Sequence, residues 1–411
     1  MSVPISPGVK DLYSYFFTGL YDDRKSIMVP TVGQHFFGNP MADGRTVISK
    51  NSMVVEIDII RGSEKTAALI PRGLPARTIK GNPIALTEGQ FSNFRRVYPL
   101  VEEEAIITAN ELNNIIAGEG PYAAQGGSIT KFDRMRKKAA DLYREMNKRI
   151  IRLFERLAWQ SLLTGKQDAI LGTANPDLQY DFRRNALNTD SVALPWTNAL
   201  ADPIGDLDGM CLQIDRAGHI KPNVAIMDGA SITAFIGNTI VQGIADNRRF
   251  IDVVSINATM TIPADIQRLI NAGLVLRGVV TTYRGYQLWL MVYTEHYEDD
   301  NGNPVDYLPE GTVFITSTKA RADRYFGPDE LLPLTSEDIA MYAQYFGFSP
   351  GAMIVPPEVE AGAIIPINAF SYDAYRDANR KSVTMRAQVG GPIFATTQTD
   401  AFGVLEDIIA E

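Results

Sequence analysis

Apolar residues recur in steps of three or four from Phe132 through Met135, Ala139, Leu142, Met146, Ile150 and Leu153 to Leu157. That period marks one face of an α-helix. Thr130 followed by Asp133 offers a start of the capping-box kind and Gly165 a natural stop, so the pattern predicts a helix over 131–164. At ~1.5 Å per residue it would run about 51 Å, longer than an ordinary compact domain contains. Its other face holds ten Lys or Arg between Lys131 and Arg156 against Asp133, Asp141, Glu145 and Glu155, a local charge of +6.

Ahead of the helix the pattern is extended. Residues 53–60, MVVEIDII, put Val55, Ile57 and Ile59 on one face and Glu56 and Asp58 on the other, which predicts a half-buried strand. Arg61-Gly62-Ser63 turns, Thr66 to Ile70 returns extended, and Pro71-Arg72-Gly73-Leu74-Pro75 is too broken to pack regularly. Residues 53–84 are thus expected to form a long projecting hairpin. Residues 1–49 mix aromatics with Pro4, Pro7, Pro30 and Pro40, and predict an extended arm with one short helix near 9–22. Residues 85–117 predict a strand and then a short helix, and Gly118 to Gly127 a flexible joint.

Beyond Gln160 the reading becomes α/β. It comprises a loop to about Asp202, a helix over 204–217, a buried strand NVAIMD at 223–228, a helix from near Ser231 and another from Pro263 through Ile270. Strands are expected at 274–282, 285–294 and 312–317, with a turn over 299–303. Residues 328–372, rich in Pro and aromatics, predict a surface insertion with a little helix at 336–345. Three strands near 381–388, 393–397 and 403–409 close the chain.

The 411 residues, 45% hydrophobic, suffice for one large core or two or three ordinary ones. Lys and Arg number 39 against 48 Asp and Glu, a net −9 that argues against a dedicated nucleic-acid-binding domain. The single Cys211 excludes a disulfide within the chain and predicts a reducing compartment. With no run of about 18 apolar residues and no basic leader, the chain is expected neither to span a membrane nor to carry a standard secretion signal.

Candidate chemistry is sparse. His35, His219 and His296 stand far apart with no carboxylate or cysteine at ligand spacing. Gly118-x-Gly120-x-x-Ala123 lacks the strand that feeds a dinucleotide fingerprint and reads as a hinge. Asp299, Asn301, Asn303 and Glu310 mimic a calcium loop, but Pro304 occupies its glycine position, so a hairpin turn is favoured. SLLTGK at 161–166 lacks the upstream glycine of a phosphate loop and leaves Lys166 a helix-end cation. Cys211, beside Met210 and Leu212, reads as a buried structural thiol rather than a nucleophile. No catalytic, cofactor or metal site is therefore expected. The basic helix face has two readings, a solvated or ion-paired surface or one turned toward a polyanion.

Three stretches carry a resemblance: VVEIDIIRGSEKTAALIPRGLPARTIKG at 54–81, the block from Tyr283 to Gly327, and SVTMRAQVGGPIFATTQTDAFGVL at 382–405. The middle block is the most specific, with a Tyr-bearing hydrophobic strand, a polar turn, Leu308-Pro309, and a strand followed by Ala320-Arg321. On these residues the chain resembles the lambda-like phage major capsid proteins, the capsid protein E family, which adopt the Hong Kong 97 fold. The resemblance runs from about residue 12 over most of the chain, and residues 328–372 exceed the corresponding family segment.

The resemblance implies an α+β Hong Kong 97 capsid fold. Its parts would be an N-terminal arm at 1–52, an E-loop hairpin at 53–84, a first peripheral portion at 85–202 with a spine helix at 130–165, an α/β axial domain at 203–320, and peripheral return strands over 321–411 with the 328–372 insertion. Function would be that of the major capsid protein of a tailed double-stranded DNA phage, assembling as hexamers and pentamers into an icosahedral shell. Implied partners are further copies, a separate scaffolding protein, a portal, a decoration protein and packaged DNA held without sequence readout, with no membrane and no enzymatic activity. The shell would be the virion capsid, assembled in the host cytoplasm. Arg61, Lys65, Arg72, Arg77 and Lys80 would be assembly contacts in the E-loop, and Arg136, Lys137, Arg144, Lys148 and Arg152 would face DNA. A phage tail or head-tail adaptor protein is the nearer alternative and an intracellular α/β enzyme the further one.

Overall fold

The computed structural model describes residues 31–37, 48–49, 58–59, 85–86, 100–108, 131–168, 179–246, 251–252, 262–299, 302–326, 370–377 and 382–409. Its strands are β1 (Ile48–Ser49), β2 (Asp58–Ile59), β3 (Ala85–Leu86), β4 (Leu100–Thr108), β5 (Lys166–Asp168), β6 (Gln179–Asp181), β7 (Thr189–Ser191), β8 (Val224–Met227), β9 (Ile251–Asp252), β10 (Val275–Thr281), β11 (Gln287–Val292), β12 (His296–Glu298), β13 (Pro304–Asp306), β14 (Val313–Thr316), β15 (Asp323–Phe326), β16 (Phe370–Asp377), β17 (Ser382–Gly390), β18 (Pro392–Ala395) and β19 (Phe402–Glu406). The helices are α1 (Lys131–Thr164), α2 (Pro203–Gly218), α3 (Gly229–Gly237), α4 (Thr239–Asp246) and α5 (Ala264–Asn271). Two compact units contain them, one made of residues 1–29, 99–153 and 326–392, the other of 30–98, 154–325 and 393–411.

In the first unit β16, β17 and β4 form an antiparallel sheet in that order. The register runs unbroken from Ser382 opposite Thr108 to Gly390 opposite Leu100, and it sets Arg386 against Glu104 on one side and Asp373 on the other. Arg149 of α1 reaches Glu103 of β4 at 3.8 Å, while Met146, Ile150 and Ile107 are buried.

The second unit is built on a seven-stranded mixed sheet, ordered β7-β19-β14-β8-β11-β10-β9. Central β8 is buried at every residue, as a strand covered on both faces requires. Alternation sorts its neighbours. Val313, Ile315, Ala225, Met227, Leu288 and Leu290 join the core formed with Ile204, Leu207, Cys211 and Ile214 of α2. Phe314, between Val313 and Ile315, meets Phe36 at 5.8 Å and Trp159 at 5.7 Å instead. One face is thus covered by α2 and α3, the other by the end of α1 and residues 31–37.

Local chemistry explains the helix limits. The Asp202 carboxylate accepts from Gly205 N at 3.0 Å and Pro203 occupies the first turn, while Asp228 accepts from Ala230 N and Ser231 N at 2.8 and 3.0 Å. Gly165 ends α1 at φ 67°, and the Arg184 guanidinium donates to the carbonyls of Leu162 and Leu163 that the helix leaves unpaired. The helix dipole favours a cation there as well. Where α2 crosses β19, a Cβ on Gly403 would lie 2.7 Å from Met210 Sδ, so any side chain there would force Met210 and Ile214 to shift.

Several expectations need correction. Residues 31–37 are not an extended arm: Gly33–Phe36 is a 3₁₀ turn, and Val32, Gln34, Phe36 and Phe37 are buried. The supposed loop before Asp202 contains the β5-β6 pair and edge strand β7. Strand β16 begins at Phe370, inside the expected insertion, because Phe370, Tyr372 and Ala374 alternate with polar residues behind the Pro-rich stretch. The C-terminal strands do not act as one return group: β17 pairs with β4, but β19 pairs with β14 and β7, since its inward residues complete the α2 core. Helix α4, begun by Asn238 accepting from Ile240 N at 2.9 Å, was not anticipated. Of the projecting hairpin, β2 and β3 pair Asp58 with Leu86 and Ile59 with Ala85, and residues 60–84 lie outside the described residues, as do the short helices expected at 9–22, after β4 and at 336–345 and the joint at 118–127.

Ile150 is 1% exposed on α1. Ile150→Asp is expected to destabilise the protein by about 3–5 kcal/mol, because the carboxylate would be buried without a partner. Thermal denaturation checks this, and an unchanged Tm would place residue 150 at the surface.

Candidate functional site

From Phe154 to Leu162 only Arg156 and Gln160 of α1 escape full burial, so here the helix keeps no more than a narrow polar strip. Glu155 lies in this stretch at 0% exposure. Its carboxylate accepts four hydrogen bonds, from Gly33 N at 2.6 Å, Gln34 N at 3.2 Å, Trp159 Nε1 at 2.9 Å and Tyr293 OH at 3.0 Å. A Cβ on Gly33 would stand 2.9 Å from the Trp159 ring, which is why glycine sits at the point of closest approach. Trp159 stacks on Tyr293 with ring centres 5.1 Å apart.

Arg324 of β15 completes this clasp. It is buried, and its guanidinium donates to Gln34 O at 3.0 Å and Phe37 O at 3.1 Å while lying 5.7 Å from the Phe394 ring centre. Phe37 and Phe154 also pack edge-on against Phe394, and Ser161 Oγ donates to the Phe394 carbonyl at 2.6 Å. A segment remote in sequence is thereby fastened to α1, β15 and β18 by charge-assisted hydrogen bonds and aromatic packing.

Electrostatics follow from this burial. Desolvation raises the Glu155 carboxyl above its ordinary range, opposed by the four donors. Burial lowers Arg324 to about 10, with the Glu155 charge acting the other way. Burial, then the charges of Arg324 and Arg268, pushes His35 down to about 4. The site holds charge and registers chain segments. In the α2 core on the other face of the sheet, burial pushes the Cys211 thiol up, into the inert range of a structural cysteine.

The other sequence candidates resolve individually. Asn303 N and Nδ2 donate to Asp299 at 2.8 and 3.2 Å across the turn joining β12 and β13, so a hairpin stands where a calcium loop was the rival. Among the described residues no three His, Cys, Asp or Glu side chains group as a metal site, and no helix is long and apolar enough to cross a membrane. Lys166 is exposed just past the end of α1. Arg136, Lys137 and Arg144 lie on α1 with side chains outside the described residues; Lys148 is half-buried and Arg152 exposed. Arg61, Lys65, Arg72, Arg77, Lys80 and the glycines at 118 and 120 lie outside the described residues altogether.

The sequence profile described as phage major capsid protein E matches residues 39–347. The chain belongs to that family. A search of curated proteins finds no match. Among solved structures, the putative capsid protein of a prophage of E. coli CFT073 is similar at a TM-score of 0.50 and 16% identity, over 76% of this chain and 77% of that one. The mature capsid of bacteriophage PhiM1 follows at 0.39 and 8%, over 90% and 86%, and a phage-related protein from Bordetella bronchiseptica RB50 at 0.40 and 12%, over 92% of both. The fold is the α+β capsid fold of Hong Kong 97 type, and the protein is a phage major capsid protein whose copies form an icosahedral virion shell.

For such a capsid protein the clasp is the part that sequence reasoning missed. Glu155 was counted among the acids of the charged face, although it falls beside Phe154 and four residues before Trp159. That aromatic setting was the one available signal.

Glu155→Ala would strand four donors, and is expected to cost about 3–5 kcal/mol, whereas Glu155→Gln keeps the shape and should cost less. Melting temperatures of the two variants test the order. His35 supplies a pH dependence of the same sign as a paired carboxylate, because in both cases the folded pKa is depressed. Its folded pKa lies below the ordinary 6.5, so the unfolded chain takes up the proton first and stability falls as pH drops from 6.5 to about 4. The loss is at most about 3.5 kcal/mol at ~1.4 kcal/mol per pKa unit. His35→Gln should flatten that limb of a Tm-versus-pH curve; an equally steep limb would assign it to other groups.

Proposed function

We propose that this capsid protein assembles as hexamers and pentamers around the packaged double-stranded DNA of a tailed phage, in a structural and non-catalytic role. The observation that carries the reading is the extent of the family match, 39–347, which spans both the cationic segment 61–80 and the whole of α1. Assembly takes place in the host cytoplasm with a scaffolding protein, a portal and a decoration protein as partners. A single buried cysteine suits that reducing setting.

Segment 61–80 carries Arg61, Lys65, Arg72, Arg77 and Lys80 against Glu64, a local +4 in a chain of −9, and serves as an assembly arm. The basic face of α1, with Arg136, Lys137, Arg144, Lys148 and Arg152, lines the DNA. Ten cations against four acids support this, the more so because Glu155 is turned into the core and neutralises none of them at the surface. Phosphate neutralisation needs no base readout. One observation favours the rival, ion-paired reading: Arg149 meets Glu103 at 3.8 Å and Glu145 at 3.6 Å. Both carboxylates lie at the surface, where such pairs contribute little stability.

Replacing Arg144, Lys148 and Arg152 together by Gln is expected to leave empty shells intact and to lower the amount of DNA retained per particle, most visibly at low salt. Nuclease-protected DNA in purified particles measures it. Full retention across salt would leave the ion-paired reading.

A further inference from the structure

Strands β12 and β13 form a two-stranded ribbon whose outer edges pair with no other strand among the described residues. Alternation divides its two faces. Tyr297 turns to the body, 5.2 Å from the Tyr307 ring and with the Arg156 guanidinium 4.9 Å above its own. His296, Glu298, Pro304 and Asp306 stand on the other face, and all are exposed. Around them the chain from Glu295 to Glu310 holds six Asp or Glu and no Lys or Arg, a local −6 in a protein of net −9. Glu295, Glu298, Asp306 and Glu310 are exposed and form no ion pair among the described residues.

We propose that the outer face of this ribbon, centred on Glu298 and Asp306, is the docking surface for the cationic segment 61–80 of a second copy of the chain. The occupant follows from charge and stoichiometry. Patches of opposite sign attract at close range, and the −6 ribbon is matched by the +4 segment of the same sequence. Each copy brings both patches, so the contact is head-to-tail, the kind that closes into a ring when its rotation divides the circle. The segment also has the reach. Residues 60–84 are tied at their base by β2 and β3, and half of that loop extended spans about 40 Å at ~3.4 Å per residue. Prolines 71 and 75 suit side-chain docking better than addition of a third strand, because each lacks a ladder donor. The inference rests on reading segment 61–80 as an assembly arm.

A charge-swap experiment tests both. Glu298→Arg with Asp306→Arg alters exposed side chains only, and circular dichroism should show normal folding; Glu298→Gln with Asp306→Asn gives a milder version. The ribbon variant and Arg72→Glu with Arg77→Glu are each expected to lower the yield of closed shells about fivefold at low salt, and the combined swap to recover most of it. If the arm variant fails while both ribbon variants assemble normally, the arm stands and the ribbon is not its dock. If the arm variant assembles normally, the arm reading itself falls. Mixing chains carrying Glu298→Cys with chains carrying Arg72→Cys identifies the occupant, since Cys211 is buried. A bifunctional thiol reagent should link two different chains; linkage confined to a doubly substituted single chain would overturn the intermolecular contact.

Discussion

A single desolvated carboxylate constrains the second unit. Taking Glu155 out of water costs several kcal/mol, and the cost is met only when Gly33, Gln34, Trp159 and Tyr293 all bring their donors to it. Those donors lie as many as 138 residues away along the chain. The carboxylate is therefore satisfied only if residues 31–37, the helix and the end of β11 arrive together, and a misregistered helix would bury an unpaired charge. Arg324 imposes the converse condition on the same segment, through its donations to the carbonyls of Gln34 and Phe37. A buried carboxylate that holds four donors from three chain segments specifies one arrangement as well as stabilising it.

The sheet depends on that arrangement. Phe314 needs a cover on the side away from α2, and Phe36 and Trp159 provide it only when the clasp is closed. The same strand sends Val313 and Ile315 into the opposite layer. The two layers are therefore coupled through a strand of four residues, and loss of the clasp would expose aromatic surface rather than detach a surface appendage.

Local signals were legible. The period of α1, its glycine stop and the unbroken apolar run of β8 all depend on residues within a few positions of one another, and each is visible in sequence. Partner choice was not. Whether β19 joins β14 or the β4 sheet depends on close approach at Gly403 to Met210 and Ile214, nearly 200 residues away, and no local pattern encodes it. Residues 31–37 looked like an arm because a short aromatic, glycine-containing segment between prolines has no period at all. Strand β16 was hidden differently: its alternation is present, but the composition of the preceding stretch outweighed it. The roles proposed for residues 61–80 and for the basic helix face rest on sequence charge and family membership, not on local geometry.

Net charge is a poor guide to whether such chains associate. At physiological salt the field of an exposed charge decays over roughly 8 Å, so one copy does not sense the total of −9 on another, only the patch that faces it. What matters is segregation. The sequence concentrates cations in 61–80 and 131–156 and carboxylates in 295–310, instead of mixing them evenly as a soluble monomer does. Burial of Glu155 sharpens the division, because it withdraws one acid from the surface of the most basic helix. A chain can then remain soluble through its overall negative charge while each of its patches still attracts, at close range, a surface of opposite sign.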